Sequence, residues 1–351
     1  MNKTPLNIAV VGAGIVGACT AWALAKRGQN VTLIERDHPM SHTSSSTSKL
    51  LHGGLRYLET GQFGLVRKSL LARSTWLKQA PHLCNNLKFL LPVYQGQGRP
   101  KWMVGTGLKI YDLLALGSGF QNSSWMPYNK VLDYHPNLEP RNLLGAYSFF
   151  DAQMDDAALG NWVIDQARAL GVSIVFGNEV AKVSILSNYD RIVNATGPWA
   201  MSLRHSQPGK SVYALDWVRG SHIVLDRLCP TALLLQVPKE KRIFFVLPFH
   251  GKTLVGTTEV RQEGPDDQGA SSEEIDYLFT AYNHYLKPIA TSEDIYRVFS
   301  GVRPLIKSVQ DPTQATREWA FERVDHVLHI YGGKWTTAQI QGEEAAKRIL
   351  Q

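Results

Sequence analysis

The apolar positions of this chain follow two periods. Residues 7–11 carry a continuous apolar run, Ile8 to Val11, of the length a buried strand has. Residues 18–27 have helical composition, Gly28 is placed to end that helix, and residues 31–34 make a second strand that stops at Glu35. Residues 62–79 are amphipathic at helical spacing. Phe63, Val66, Leu70 and Leu77 fall near one face, Arg67, Lys68, Arg73 and Lys78 mostly elsewhere, and Pro81 stops the run. Further helices are expected from Asp155-Asp156 to residue 169, over 272–285 with Glu273 and Glu274 in the first turn, and after Thr337 to the end. Strands are expected at 87–93, 172–176, 180–186, 191–197, 295–300 and 326–331. Residues 220–225, 242–248 and 253–258, β-branched, aromatic and bounded by turns, read as an antiparallel group. Residues 99–116 hold Trp102, Met103, Leu108, Ile110, Leu113 and Leu116 with few charges. They fit either a core helix or an amphipathic surface element flanked by Arg99, Lys101 and Lys109.

The glycines after the first strand turn this pattern into a candidate site. Gly12, Gly14 and Gly17 stand in G-A-G-I-V-G, with Ile15 and Val16 between them. Gly12 suits a tight turn, Gly14 a close backbone approach to a pyrophosphate, and Gly17 close packing of helix on strand. The helix N-terminus offers unpaired N–H groups and partial positive charge to a diphosphate. Glu35 can accept hydrogen bonds from ribose hydroxyls and would repel a 2′-phosphate, which disfavours NADP. The glycines alone are a weak signal; with a strand before, a helix after and the acid at this distance, the signal is strong.

Other stretches extend the site. The hydroxyl cluster at 43–48, with Ser44, Ser45 and Ser48, runs into Lys49, Leu50, His52 and Gly53. It suits a diphosphate and the polar chain of a flavin cofactor, or it is a solvated loop. Residues 191–197 end in Ala195-Thr196-Gly197, small enough for a returning strand to pass close to a dinucleotide, which favours FAD over NAD. Near the C-terminus, Gly332-Gly333-Lys334-Trp335-Thr336-Thr337 again sets a glycine turn before a helix, aimed at something negative.

Composition narrows the class. The 351 residues suffice for two domains, and 44% apolar with 19% charged content is ordinary for a globular chain with a sizeable core. A net charge of +7 admits anionic substrates, acidic lipid or nucleic acid without choosing between them. Cys19, Cys84 and Cys229 are far apart and form no C-x-x-C, so neither a disulfide framework nor a metal site is expected, and a reducing, cytoplasmic setting fits. The apolar N-terminus contains the glycine turn and lacks a convincing cleavage site, so it reads as fold rather than signal peptide. No stretch is long and apolar enough to span a bilayer.

Nine stretches, in order along nearly the whole chain, carry a family resemblance: G-A-G-I-V-G, S-K-L-L-H-G-G-L-R-Y-L-E, A-P-H-L, V-N-A-T-G-P-W, R-G-S-H-I-V, K-R-I-F-F-V-L-P, G-T-T-E-V, S-G-V-R-P-L and G-G-K-W-T-T. The chain resembles the FAD-dependent (aerobic) glycerol-3-phosphate dehydrogenases, within the D-amino-acid-oxidase-like flavoproteins. The resemblance implies an α/β fold with an α+β second lobe: a Rossmann-like FAD-binding domain (1–75, 145–205, 300–351) interleaved with an antiparallel-sheet substrate domain (76–144, 206–299). It implies oxidation of sn-glycerol 3-phosphate to dihydroxyacetone phosphate by hydride transfer to flavin N5. Electrons would pass to quinone or another acceptor, at an anionic membrane surface on the cytoplasmic face. The alternatives are a flavin oxidase of an amine or other hydroxy compound, and an FAD-binding paralogue of impaired activity.

Residue by residue, the resemblance places Arg56, Tyr57, Arg317, Lys334 and Thr336 on the substrate, with Arg317 and Arg56 on phosphate. His222 is the candidate general base, although a histidine inside a strand pattern is also a common structural residue. Arg303 stands by the reacting hydroxyl. Arg36, Val180, Trp199, Gly301, Gly333 and Trp335 join the glycine turn, Glu35 and the serine stretch around FAD, with Lys334 and Thr336 shared between cofactor and substrate. Nucleic acid is not an expected partner, and the oligomeric state is left open. Relative to the family pattern the chain lacks the usual helical C-terminal domain, and a connecting β-meander around 180–191 looks trimmed.

Overall fold

The computed structural model describes residues 4–307 and 318–351. Two sheets carry the fold. The first has six strands in the order Trp319–Val324, Val327–Gly332, Arg191–Asn194, Asn7–Val11, Asn30–Ile34 and Ser173–Val175. Its neighbours run parallel except for the antiparallel pair at the Trp319–Val324 edge. Asn7–Val11 sits inside this sheet and is covered on both faces, which explains its unbroken apolar run. Ile8 and Val10 pack with helices Ile15–Ala25, Asp156–Ala169 and Ala338–Leu350, while Ala9 and Val11 face Val183, Leu186 and Leu203.

The second sheet has ten strands, of which Leu215–Leu225, Ile243–Phe249 and Lys252–Gly256 form the antiparallel group the sequence suggests, and Ile295–Ile306 joins them antiparallel to Leu215–Leu225. One face packs on helix Ser272–Tyr285, the other under helices Phe63–Gln79 and Lys101–Leu114. Ser271 caps Ser272–Tyr285 in a capping box with Glu274. Lys101–Leu114 is the amphipathic surface element of the two readings: Val104, Leu108 and Tyr111 face inward, while Trp102 and Leu113 are 69% and 62% exposed.

Three expectations change. Residues 180–186 are not a strand; Val183–Leu186 is a short 3-10 turn whose Val183 and Leu186, three apart, both point into the core. The twelve-residue strand Leu143–Met154 escapes the pattern because it is buried along most of its length and interrupted by Ser148, Asp151 and Gln153. It and Ile295–Ile306 belong to the second sheet, and the chain passes between layers at Asp155, the N-cap of the next helix, and after Ile306. Strands Ala232–Gln236 and Trp319–Val324 also lie outside the expected set.

Candidate active site

A cleft of about 530 Å³ runs between the two layers. Part of its wall is the glycine turn after the first strand. Gly12 has φ +98, and a Cβ there would lie 2.6 Å from the Ala195 carbonyl oxygen. A Cβ on Gly17 would lie 1.8 Å from the Gly12 carbonyl oxygen, so the helix meets the strand only because both positions lack side chains. Gly14, Ile15, Val16, Ala195, Thr196, Gly197, Val180 and Trp199 line the adjoining wall. Glu35 also lines it and is almost fully buried; its Oε2 accepts from Ala13 N–H at 2.7 Å and its Oε1 from Asp37 N–H at 3.1 Å. The Arg36 guanidinium carbon sits over the Trp199 ring, 4.0 Å from its centroid. A glycine turn at a helix N-terminus, with a carboxylate beside it, fits a dinucleotide diphosphate and its ribose.

The serine stretch forms the floor. Ser44 Oγ accepts from Ile15 N–H at 3.0 Å and so stands at the helix N-terminus. Ser44, Ser46, Thr47 and Ser48 line the cleft, but Ser45 and Lys49 do not. Lys49 Nζ is turned away to Asp156 Oδ1 and to the Ser45 carbonyl, each at 2.6 Å. Asp156, wholly buried, also accepts from Thr47 N–H and Oγ1–H, at 3.1 and 2.7 Å. Leu50 and Gly301 line the cleft; a Cβ on Gly301 would come within 3.0 Å of Ser46. Trp335 does too, its Nε1–H donating to the Ser44 carbonyl at 3.0 Å.

At the far end, His52, Arg56, Tyr57, Arg303, Lys334, Thr336 and Gly333 come together in the same cleft. Arg303 donates to Thr257 Oγ1 at 2.8 Å, and its guanidinium lies against Gly220, where a Cβ would be 2.2 Å from Nη2. Lys334 Nζ donates to the His52 carbonyl at 2.7 Å and sits 5.2 Å from the Tyr57 ring centroid. Gly53 does not line the cleft; its N–H donates to Tyr111 OH and to Asp151, which does line it. Arg317 lies outside the described residues.

His222 sits directly behind the cleft wall. It is buried, does not line the cleft, and stacks on Phe299 at 4.8 Å, with Gly256 leaving no room on its other side. Its Nε2 meets Ser48 Oγ at 2.9 Å, and Ser48 is the group that faces the cleft. Burial, with help from the Arg303 and Lys49 cations, drives its pKa well below the usual imidazole value, so the ring is neutral. The strand alternation that would have turned it outward is lost because Leu215–Leu225 is buried on both faces near its end.

A family model described as FAD dependent oxidoreductase (DAO) matches residues 7–348. The chain belongs to this family. It is an FAD-dependent oxidoreductase, and its cofactor is FAD. It is 34% identical over 374 residues to D-erythritol 1-phosphate dehydrogenase of Brucella abortus, covering 98% of this chain and 73% of that one. It is 33% identical over 372 residues to aerobic glycerol-3-phosphate dehydrogenase of Escherichia coli, with the same coverage. Among solved structures, glycerol-3-phosphate dehydrogenase from Bacillus halodurans complexed with FAD aligns at TM-score 0.74 and 24% identity, over 100% of this chain and 65% of that one. L-alpha-glycerophosphate oxidase from Mycoplasma pneumoniae with FAD bound aligns at TM-score 0.76 and 16% identity, over 99% and 96%. These two likenesses bear on the fold alone.

In this flavoprotein several structural partners of the site went unmarked in the sequence. Asp156 was visible as part of Asp155-Asp156 but only as a helix start. Gly220 and Thr257 lie in two of the quoted stretches without being singled out, and Asp151 gave no local signal, because each matters through a partner far along the chain.

Proposed function

We propose that this flavoprotein oxidises the secondary alcohol of a small polyol phosphate, glycerol 3-phosphate first. The observation that supports it is that Arg56, Arg303 and Lys334 line the same cleft as the dinucleotide groove. Cations so placed suit a dianionic phosphate, and arginine's planar fork suits it best. Bound FAD would supply the hydride acceptor, which no side chain can be. Arg56, with Arg317, holds the phosphate, and Tyr57, Lys334 and Thr336 complete the pocket. Arg303 stabilises the developing alkoxide. His52 is an imidazole on the wall of the same cleft and takes the hydroxyl proton; His222 fixes the Ser48 hydroxyl from behind. The cofactor side is built mainly from 4–75, 155–205 and 318–351, and the substrate side from the second sheet.

A longer polyol phosphate is the second reading. A smaller apolar cavity of about 270 Å³ adjoins the cleft and shares Leu55, Arg56, Leu234 and Ile243 with it, and a dehydrogenase of erythritol phosphate is among the relatives. The same cavity, edged by Phe63, Trp102 and Met103, gives an apolar acceptor such as a quinone a route toward the cleft. The test is anaerobic addition of glycerol 3-phosphate or erythritol phosphate to the FAD-loaded protein, followed in the visible flavin band. Rapid bleaching by one of them is expected. A flavin that dithionite bleaches and neither phosphate does would defeat the reading.

A further inference from the structure

Helices Phe63–Gln79 and Lys101–Leu114 each send one polar side chain inward to the same carboxylate. Arg73, fully buried, donates from Nη1 to Asp151 and to the Phe150 carbonyl. Tyr111 OH lies 2.9 Å from both Asp151 oxygens. Gly53 N–H donates to Tyr111 OH at 2.9 Å and to Asp151 Oδ1 at 3.2 Å. Burial, with the Asp151 charge, keeps the Tyr111 hydroxyl protonated, so it donates to the carboxylate and accepts from the amide. The fit is tight, since a Cβ on Gly53 would stand 2.4 Å from that hydroxyl. On the other side of this turn, Lys334 Nζ holds the His52 carbonyl at 2.7 Å. Gly54, at φ +85, then turns the chain into Leu55–Thr60, which carries Arg56 and Tyr57.

A buried ion pair is weak evidence of stability, because apolar side chains of similar volume often fill the same place as well. This one converges on a single amide, one residue after His52 and three before Arg56. We propose that Arg73, Asp151 and Tyr111 are positioning residues that set the 52–57 turn, and through it the imidazole of His52 and the guanidinium of Arg56. The inference rests on the reading of those two side chains as substrate-facing. The clamp spans two helices and the second sheet, so it also ties the outer helix pair to the reacting end of the cleft.

The test uses FAD-loaded Tyr111→Phe, which keeps the ring and removes the hydroxyl, and Asp151→Asn, which keeps the shape and removes the charge. Ser74→Ala is the control: Ser74 is buried in the same helix but bonds to the Ser118 carbonyl instead. Two quantities are read: hydrogen–deuterium exchange of the peptide spanning 52–60, and KM and kcat for glycerol 3-phosphate. Tyr111→Phe is expected to retain FAD, to expose 52–60 to faster exchange, and to raise KM about tenfold, as loss of one hydrogen bond to a charged group would. Its kcat should fall less, and Ser74→Ala should move neither quantity. Unchanged exchange over 52–60 in Tyr111→Phe overturns the proposal. If the unaltered protein does not oxidise glycerol 3-phosphate, the functional reading fails, while exchange still decides the clamp. Should Asp151→Asn not fold, Tyr111→Phe decides alone.

Discussion

Replacing Gly17 by alanine tests the cofactor groove at its tightest point. The new Cβ would lie 1.8 Å from the Gly12 carbonyl oxygen, roughly 1.5 Å inside ordinary contact distance. The oxygen belongs to the turn itself, so the helix must withdraw. It cannot do so freely: Gly342 of helix Ala338–Leu350 already packs so closely that its own Cβ would be 2.7 Å from the Cys19 backbone. Overpacking of this kind costs about 1–3 kcal/mol. With an unfolding entropy near 2.1 cal/mol/K per residue over 351 residues, that is about 1–4 °C in Tm for the apoprotein. The larger effect falls on FAD. Helix N–H groups that retreat lose charge-assisted hydrogen bonds of about 1.5–3 kcal/mol, so FAD should bind roughly 10–100-fold more weakly. Reconstitution followed by flavin fluorescence measures the second, and a thermal melt of the apoprotein the first. Wild-type flavin affinity together with an unchanged melt would refute the reasoning, since the helix would then have room the structure denies it.

Acid should destabilise the protein through its buried histidines. Burial lowers the pKa of both His135 and His329 from 6.5 to about 4. A depressed folded pKa stabilises fully above pH 6.5, and that contribution is lost as pH falls toward 4, about 3 kcal/mol for each ring. His135→Phe should therefore shrink the fall in urea midpoint between pH 7 and 4.5; an identical fall in wild type and variant would count against it. The outer helix should bind anionic bilayers: Trp102 is exposed, Lys101 and Lys109 flank the apolar face, and each lysine near the headgroups adds about 1 kcal/mol. Vesicle sedimentation should show salt-sensitive binding to anionic vesicles, weakened in Trp102→Ala, and negligible binding to anionic and neutral vesicles alike would end the idea.

What the sequence disclosed is what depends on neighbours in the chain. Strand, glycine turn, helix, strand and Glu35 occupy about thirty consecutive residues, and two of the contacts that shape them, Glu35 to Ala13 and Gly17 to Gly12, are internal to that stretch. The cations of the substrate end were named through the family pattern, and the structure brings Arg56, Arg303 and Lys334 to one cleft. Where a side chain points was less legible. His222 and Lys49 stand in motifs that approach the cofactor, yet both turn to partners elsewhere, Ser48 and Asp156, because each strand or turn is buried from two sides. No periodicity encodes that choice; it is set by Phe299 and by a carboxylate more than a hundred residues along the chain.

Asp151 and Asp156 show how the long-range part is organised. They lie where strand Leu143–Met154 leaves the second sheet and helix Asp156–Ala169 enters the first layer. Asp156 gathers Thr47 and Lys49, and so shapes the loop that lines the cofactor end of the cleft. Asp151 gathers Gly53, and so sets the turn that carries His52 and Arg56 at the other end. A single crossover between layers thus holds the whole 43–57 segment at two points. A shift of one layer against the other would move both anchors together and keep the reacting end in register with the cofactor groove. Because the two carboxylates act on one rigid segment, their replacements should be non-additive. The effect of Asp151→Asn on exchange over 52–60 should be larger in a wild-type background than in Asp156→Asn, where the segment is already loose, and equal effects in the two backgrounds would mean that the anchors are independent.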